Sequence, residues 1–211
     1  MTKALCCVAI ALFIALVNCY GQDFEGKITY ETAYKSNIPG MSDEQLSLML
    51  GTSQQFFIKG GNYKTTTNGT FLLWQIFINK DSKLYNKMAS SEALLWNDVS
   101  INTDEIVKAE INKNAITILG NPCDELVLTS KNAVEKYYFS SEFKIDAKLF
   151  INHKFNHWDE FTKRSNALPL KMIINNPQMI LEAMATEVLP MKLDDKIFAL
   201  PAGAKTERNP F

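Results

Sequence analysis

The segment from Phe24 to Tyr34 alternates between apolar or aromatic and polar side chains. Ile28 and Tyr30 fall on one side of an extended chain, and Glu31 falls on the other. A period of two residues, with β-branched and aromatic residues in the apolar phase, is typical of a half-buried strand. The sequence therefore predicts that the soluble part of the protein opens with a β-strand.

Strand patterns continue along most of the chain. Residues 71–79 are nearly all apolar, which predicts a strand that is covered on both faces. Glycine, proline, asparagine and serine separate the other segments, and Gly60-Gly61 suits a tight hairpin. The order of strands and turns predicts an antiparallel meander. The remaining predicted strands are 54–59, 62–68, 83–88, 93–96, 107–112, 115–119, 124–129, 134–139, 167–174 and 178–188.

Helical signals are few. Ser42 followed by Gln45 matches a capping box, and three apolar residues of 43–50 then share a helical face. We predict one short amphipathic helix over residues 43–50. Residues 149–161 are predicted to hold a helical turn, and residues 194–198 a short turn or helix.

The N-terminus matches a secretory signal. Lys3 precedes an unbroken apolar run over residues 4–17, which is shorter than the ~20 residues that span a bilayer. We predict a signal peptide over 1–21, followed by a single domain over 22–211, and a protein exported to the periplasm. Two alternatives are lipoprotein processing at Cys19, which would anchor the protein in the outer membrane, and a retained membrane anchor.

Charge and cysteine content narrow the possible partners. Removing Lys3 with the signal leaves 21 of the 22 basic residues against 23 acidic ones, a net charge of −2. That balance argues against nucleic acid as a partner. Cys123 is then the lone cysteine, which excludes an internal disulfide. We predict a buried core thiol, and the alternative is a reactive thiol or an intermolecular bridge. Asn68 begins an Asn-Gly-Thr sequon, which would accept a glycan only in a eukaryotic secretory pathway.

Catalytic patterns are weak throughout. His153 and His157 would share one face of a helix and reach a zinc ion, yet the chain has no third histidine. Cys123 has no adjacent base, and adjacent carboxylates on a strand point to opposite faces. We therefore predict no catalytic residue, no metal site, no cofactor and no enzymatic activity.

Apolar residues are the remaining candidate for function. Seven methionines follow the signal, and flexible thioethers suit either ordinary core packing or an adaptable apolar pocket. A curved sheet facing an amphipathic helix can enclose such a pocket. The predicted contact residues come from the helix and from the most apolar strand: Leu46, Met49, Leu50, Trp74 and Phe77.

Several motifs together resemble a known group of exported proteins. They lie at residues 24–31 (Phe-Glu-Gly-Lys-Ile-Thr-Tyr-Glu), 58–64, 118–126, 150–155, 167–172 and 193–201. The chain resembles small exported proteins of Bacteroidetes and is similar to the periplasmic lipoprotein-carrier (LolA-like) superfamily and, more loosely, to the GLPGLI family. The resemblance implies a strongly curved antiparallel sheet, or unclosed β-barrel, with one or two short helices covering its concave face. Carriers of this shape hold the acyl chains of lipoproteins.

Two functional hypotheses follow. The first is a non-enzymatic, monomeric periplasmic carrier of an apolar small molecule, lipid or lipoprotein, with peripheral contact to envelope membranes. The second is a structural or interaction module of the cell envelope whose core is filled and binds no ligand. An apolar pocket of roughly 300 Å³ or more would favour the first hypothesis.

Overall fold

The computed structural model describes residues 23–210 of the chain. The predicted signal peptide, with Cys19, lies outside the described residues. Within them are twelve strands and two α-helices. The helices are α1 (Asp43–Leu50) and α2 (Trp158–Ser165). The strands are β1 (Gly26–Ser36), β2 (Ser53–Lys59), β3 (Asn62–Thr67), β4 (Leu72–Ile78), β5 (Lys83–Met88), β6 (Leu94–Asp98), β7 (Ile106–Ile118), β8 (Asn121–Ser130), β9 (Val134–Lys144), β10 (Ala167–Asn175), β11 (Met179–Pro190) and β12 (Thr206–Arg208).

All twelve described strands belong to one sheet, in the order β12-β6-β5-β4-β3-β2-β1-β11-β10-β9-β8-β7. Every neighbouring pair is antiparallel except β12 and β6. The predicted mainly-β, antiparallel class with short helices is confirmed. The sheet does not close into a barrel, because β12 and β7 are both edge strands.

Local sequence explains the elements that were predicted best. Ile28 and Tyr30 of β1 are buried, as their alternation requires. Helix α1 begins at a capping box in which Ser42 accepts from the Gln45 amide and the Gln45 side chain accepts from the Ser42 amide. The helix ends at Gly51, whose φ of 93° favours glycine. The predicted helix over 43–50 is confirmed.

Strand β7 corrects one prediction. Residues 107–112 and 115–119 were predicted as two strands, but they form one long strand. The register against β8 shifts between Asn112 and Ile116, and Asn114 has a φ of 51°. Residues 113–115 therefore form a bulge within one strand and do not make a hairpin turn.

The sheet has two covered faces at β4. Phe77 pairs with Tyr63 and faces the side that carries Tyr30 and Tyr137, called here the core face. Ile76 points to the opposite face, and both it and Phe77 are only 1% exposed. The strand predicted over 71–79 is therefore covered on both faces at Ile76 and Phe77, whereas its other residues are half-buried and Phe71 is exposed.

Non-strand segments pack against the sheet. Residues 145–165, which include α2, pack on the core face through buried Phe150 and Phe161. A 3₁₀ turn at Asp195–Phe198 contacts β3 and β4. In the part of the chain that the structure describes, neither helix has the length and apolarity needed to cross a bilayer. Cys123 is fully buried, as predicted, and burial raises the pKa of its thiol.

Candidate functional site

A cavity of about 230 Å³ lies between the core face of the sheet and residues 153–158. Strands from both halves of the sheet contribute to one wall, and residues 153–158 form the opposite wall. Its lining is mainly aromatic and aliphatic. The lining residues are Tyr30, Gln54, Phe56, Tyr63, Thr65, Gln75, Leu84, Tyr137, His153, Phe155, Asn156, Trp158, Pro169, Met172, Ile174 and Leu181.

The lining contains no Asp, Glu, Lys or Arg. Several of its polar groups are already paired within the protein. The Tyr30 hydroxyl donates to the Pro169 carbonyl at 2.6 Å, and the Gln75 amide donates to Asn86 Oδ1 at 2.6 Å. The wall is therefore uncharged and mostly satisfied, which suits an apolar ligand better than an ionic one.

His153 forms the polar end of this cavity. It is 2% exposed, its Nε2 lies 2.7 Å from the Tyr63 hydroxyl, and its ring packs edge-on against Phe77 at 4.4 Å. Burial lowers the pKa of His153 to about 4, because the aromatic surroundings disfavour the charged imidazolium. His153 is thus a neutral imidazole at pH 7.

Two buried nitrogen atoms at this end have no hydrogen-bond partner among residues 23–210. They are His153 Nδ1 and Trp158 Nε1. The two rings are 6.2 Å apart and line the same cavity. Buried polar groups in native proteins are nearly always paired, so each unpaired nitrogen needs a specific explanation.

A second, more polar cavity of about 380 Å³ adjoins the first. The two cavities share Phe155, Asn156 and Ile174 as lining residues. Phe155 is 37% exposed, so the shared wall reaches the protein surface. The second cavity is lined by residues that include Asp104, Glu135 and His157.

His157 makes two polar contacts in this second cavity. Its Nδ1 lies 3.0 Å from Glu135 Oε1, and its Nε2 lies 2.8 Å from the Asp104 carbonyl oxygen. The Asp104 carbonyl oxygen can only accept, and a carboxylate also accepts. Both ring nitrogens can therefore donate at once only when His157 is an imidazolium. The hydrogen bond to Glu135 raises the pKa of His157 to about 9. The Tyr137 hydroxyl donates to the other Glu135 oxygen at 3.1 Å.

The backbone between the two histidines is not a regular helix. Asn156 and His157 both have a φ of 49°, in the left-handed region that non-glycine residues seldom adopt. Such backbone costs of order 1–3 kcal/mol per residue and persists where the surroundings require it. Here the buried contacts of His157 stabilise the left-handed backbone. Because the segment is not a regular helix, His153 and His157 do not share the single helical face that a two-histidine zinc site needs. Within residues 23–210, no cluster of three or more His, Cys, Asp or Glu side chains could hold a metal ion.

The five residues predicted to contact a ligand do not line the cavity. On helix α1, Leu46 is buried, whereas Met49 and Leu50 are half-buried. On β4, Phe77 faces the core face and packs on His153, which does line the cavity. Trp74 is three residues away on the same strand and therefore faces the opposite side. The ligand contacts of these five residues remain predictions.

One feature of the sequence indicates the residues that do line the cavity. Gln54, Thr65 and Gln75 occupy the apolar phase of their strands, alongside Phe56, Tyr63 and Phe77. Polar residues that recur in the buried phase of adjacent strands indicate a pocket or a polar network. Residues 153–158 carry no such periodicity, so their place over the sheet could not be predicted.

Comparisons with known proteins identify no family. No family model matches the chain, and no curated protein matches it. Two solved structures of PNGF-II are similar to it, with TM-scores of 0.47 and 0.46, and with 12% and 13% sequence identity. They cover 88% of this chain, which spans about a third of the length of PNGF-II (32% and 31%). LprF from Mycobacterium bovis is similar with a TM-score of 0.30 and 9% identity, over 85% of this chain and 90% of LprF.

Proposed function

We propose that this protein is a non-enzymatic binding protein or carrier for an apolar ligand, which enters the cavity between the sheet and residues 153–158. The observation that carries the proposal is the lining. It combines aliphatic side chains such as Met172 and Leu181 with aromatic rings, and it includes no charged residue type. Ligand sites are typically apolar concavities with a few placed polar groups, and this cavity has that composition.

The volume of the cavity limits what it can hold. At about 230 Å³ it is larger than the ~150 Å³ engineered cavity that takes up benzene. It is smaller than the roughly 300 Å³ stated above as favouring a carrier, so the proposal rests on the composition of the lining and not on the volume. A small apolar molecule would fit completely. A longer acyl chain would place one end in the cavity and continue past exposed Phe155 into the adjoining cavity.

Ring contacts on the core face support a strongly curved sheet. Phe77 of β4 connects to Tyr137 of β9 through His153, Trp158 and Phe161. In a flat sheet, six interstrand steps of ~4.8 Å would separate β4 from β9 by about 29 Å. The four ring-centroid distances are 4.4, 6.2, 5.3 and 4.4 Å, which together span at most about 20 Å. This shorter path supports a sheet that bends between these strands. On this basis we infer that residues 145–165 cover a concave face.

The place of action is also part of the proposal. The apolar run of residues 4–17 after Lys3 supports export, and the motif resemblance supports the periplasm of a two-membrane bacterium. A carrier of lipid or lipoprotein acyl chains would act there. Cleavage before Gln22 would release a free carrier, whereas processing at Cys19 would tether it to the membrane.

One observation favours the alternative function, an interaction module of the envelope. Edge strand β7 is exposed along most of its length, and its apolar residues Val107 and Ile111 are 62% and 44% exposed. An exposed edge offers unpaired backbone groups to another chain. The bulges of this strand and its charged residues Lys108 and Glu110 reduce that tendency.

Filling the cavity tests the proposed binding function. Met172→Trp would occupy the cavity, so we expect binding of the neutral fluorophore N-phenyl-1-naphthylamine to weaken at least tenfold. Met184→Trp is the matched control. It makes the same change on the adjacent strand, at a residue that is 42% exposed and lines no part of the cavity.

The readout is the increase in fluorescence on titration, with thermal melting to show that both variants fold. Native mass spectrometry of protein purified from its own envelope would reveal a retained lipid. Equal binding by the two variants, or no binding by the unmodified protein together with no retained lipid, would contradict the proposal.

A further inference from the structure

We propose that two copies of this chain associate through edge strand β7, in an antiparallel pairing whose two-fold axis passes at Ala109. The paired strands would join the two sheets into one continuous sheet. This inference concerns the surface of the protein and does not depend on ligand binding. It departs from the monomer of the first functional hypothesis.

Strand β7 provides a free edge. In the described part of the chain it is the last strand of the sheet, it pairs only with β8, and residues 107–117 are all exposed. The backbone N–H and C=O groups on the open side of an edge strand can pair with another strand. Bulges interrupt the register of β7 before Lys108 and after Asn112. The regular stretch to which a second strand can add is therefore residues 108–112.

The charges of this stretch select one register. In a symmetric antiparallel pair centred on Ala109, Lys108 of each copy lies opposite Glu110 of the other copy. A centre one residue earlier would place Lys108 opposite Lys108, and a centre one residue later would place Glu110 opposite Glu110. Opposite charges in cross-strand positions stabilise a pair of strands, and like charges destabilise it. The charges that discourage unspecific pairing at this edge therefore favour the register centred on Ala109.

Lys108 and Glu110 are available for these contacts. Their side chains are 63% and 49% exposed, and the Lys108 Nζ lies 2.8 Å from a Glu110 carboxylate oxygen. Two copies would bring two such ion pairs together as a network of four alternating charges. The next charges along the chain, Glu105 and Lys113, lie beyond the bulges and are already paired within their own chain. Lys108 and Glu110 therefore carry the charge complementarity of this edge.

An apolar row on the core face ends at the same edge. Tyr137 of β9, Leu126 of β8 and Ile111 of β7 are cross-strand neighbours. Tyr137 and Leu126 are at most 2% exposed, whereas Ile111 is 44% exposed. In the register centred on Ala109, Val107 of the second copy, which is 62% exposed, lies opposite Ile111. The pairing would therefore remove apolar surface of both residues from water, which favours association.

The symmetry of the pairing limits it to two copies. Pairing of β7 with β7 uses the same surface on both copies and then leaves no free β7 edge. The opposite edge strand, β12, has only three residues, and pairing of β7 with β12 would continue head to tail without closing. Because the regular stretch of β7 is short, we expect a weak dimer with a dissociation constant on the order of 100 μM.

Charge reversal tests the register. Sedimentation equilibrium of the protein over about 10 μM to 1 mM brackets the expected dissociation constant. Lys108→Glu and Glu110→Lys each place like charges opposite one another, so each should weaken dimerisation by roughly tenfold or more. The double variant Lys108→Glu/Glu110→Lys exchanges the two charges and should restore the dissociation constant of the unmodified protein. Lys148→Glu is the control, since it makes the same change of charge at an exposed residue outside β7.

A disulfide reports the position of the two-fold axis. In the proposed register the two copies of Ala109 lie directly opposite each other, at the ~5 Å Cα separation that a disulfide requires. Ala109→Cys should therefore form a disulfide-linked dimer on mild oxidation. Thr117→Cys is the control, because residue 117 is exposed on the same strand but its two copies would lie roughly 50 Å apart. Cys123 is buried and should not react.

Three results would overturn the inference. The first is an unmodified protein that stays monomeric up to about 1 mM. The second is a double variant that folds, as judged by thermal melting, but dimerises no better than the single variants. The third is equal disulfide formation at residues 109 and 117. Assembly beyond two copies would also overturn it, since it would indicate pairing of β7 with β12.

Discussion

His153 and His157 are four residues apart, yet they lie in opposite electrostatic environments. His153 is surrounded by the rings of Tyr63, Phe77 and Trp158, and burial lowers its pKa to about 4. His157 contacts the Glu135 carboxylate and a backbone carbonyl, and the hydrogen bond to Glu135 raises its pKa to about 9. One short segment therefore holds a neutral and a charged imidazole at pH 7.

The comparison shows how a single connection serves two purposes. The His157 side fixes the segment to the sheet through a buried ion pair with both ring nitrogens bonded. The His153 side leaves a nitrogen unpaired where the cavity lies. A buried polar cluster that is fully hydrogen-bonded rigidifies the fold, whereas a buried polar atom without a partner is costly and calls for a specific explanation.

The largest expected effect on stability comes from removing the ion pair between His157 and Glu135. His157→Ala leaves Glu135, which is 3% exposed, without its cationic partner. Removal of one partner from a buried ion pair costs about 3–5 kcal/mol, so we expect the free energy of unfolding in urea at pH 7 to fall by that amount. Lys163→Ala is the control, since it breaks the exposed pair with Glu160 and should cost less than about 1 kcal/mol. Similar losses for the two variants would show that the Glu135–His157 pair is not a buried structural contact.

The two histidines should also make the free energy of unfolding depend on pH in opposite directions. For His157 the folded pKa lies above the unfolded value of 6.5, so its contribution is complete below pH 6.5 and is lost as pH rises through about 9. For His153 the folded pKa lies below 6.5, so its contribution is complete above pH 6.5 and is lost as pH falls towards about 4.

Urea unfolding between pH 4 and pH 9.5 measures both the acid and the alkaline loss of stability. The alkaline loss due to His157 should be about 2–4 kcal/mol and should be absent in His157→Gln. The acid loss should be smaller in His153→Phe than in the unmodified protein. Histidine ring NMR resonances that both titrate near pH 6.5 would refute the contrast between the two sites.

The smallest effect on stability is expected from changes at His153 and its partner Tyr63. Tyr63→Phe alone removes the hydroxyl that contacts His153 Nε2 and should cost about 1–3 kcal/mol, because a buried polar atom loses its partner. The double variant Tyr63→Phe/His153→Phe removes both polar groups and should lie within about 1 kcal/mol of the unmodified protein. Additive losses in the double-mutant cycle would mean that the two side chains are not coupled.

Much of the fold could be predicted because its signals are local. The alternation of β1 and the capping box at Ser42 each depend on residues a few positions apart, and both are confirmed. The two-strand prediction for residues 107–119 was wrong, because a bulge at Asn114 and a turn there have similar local sequences. The predicted ligand contacts took Trp74 together with Phe77, although a period of two places them on opposite faces.

The sequence by itself determined most elements of this protein: strand alternation, a capped helix, turns, the buried Cys123 and a nearly neutral charge. Only the tertiary structure decided the candidate site. Glu135 and His157 are 22 residues apart, and Tyr63 and His153 are 90 apart. The pKa of each histidine is set by burial and by partners from distant strands. The sequence shows two similar histidines, and the fold makes one neutral and the other charged.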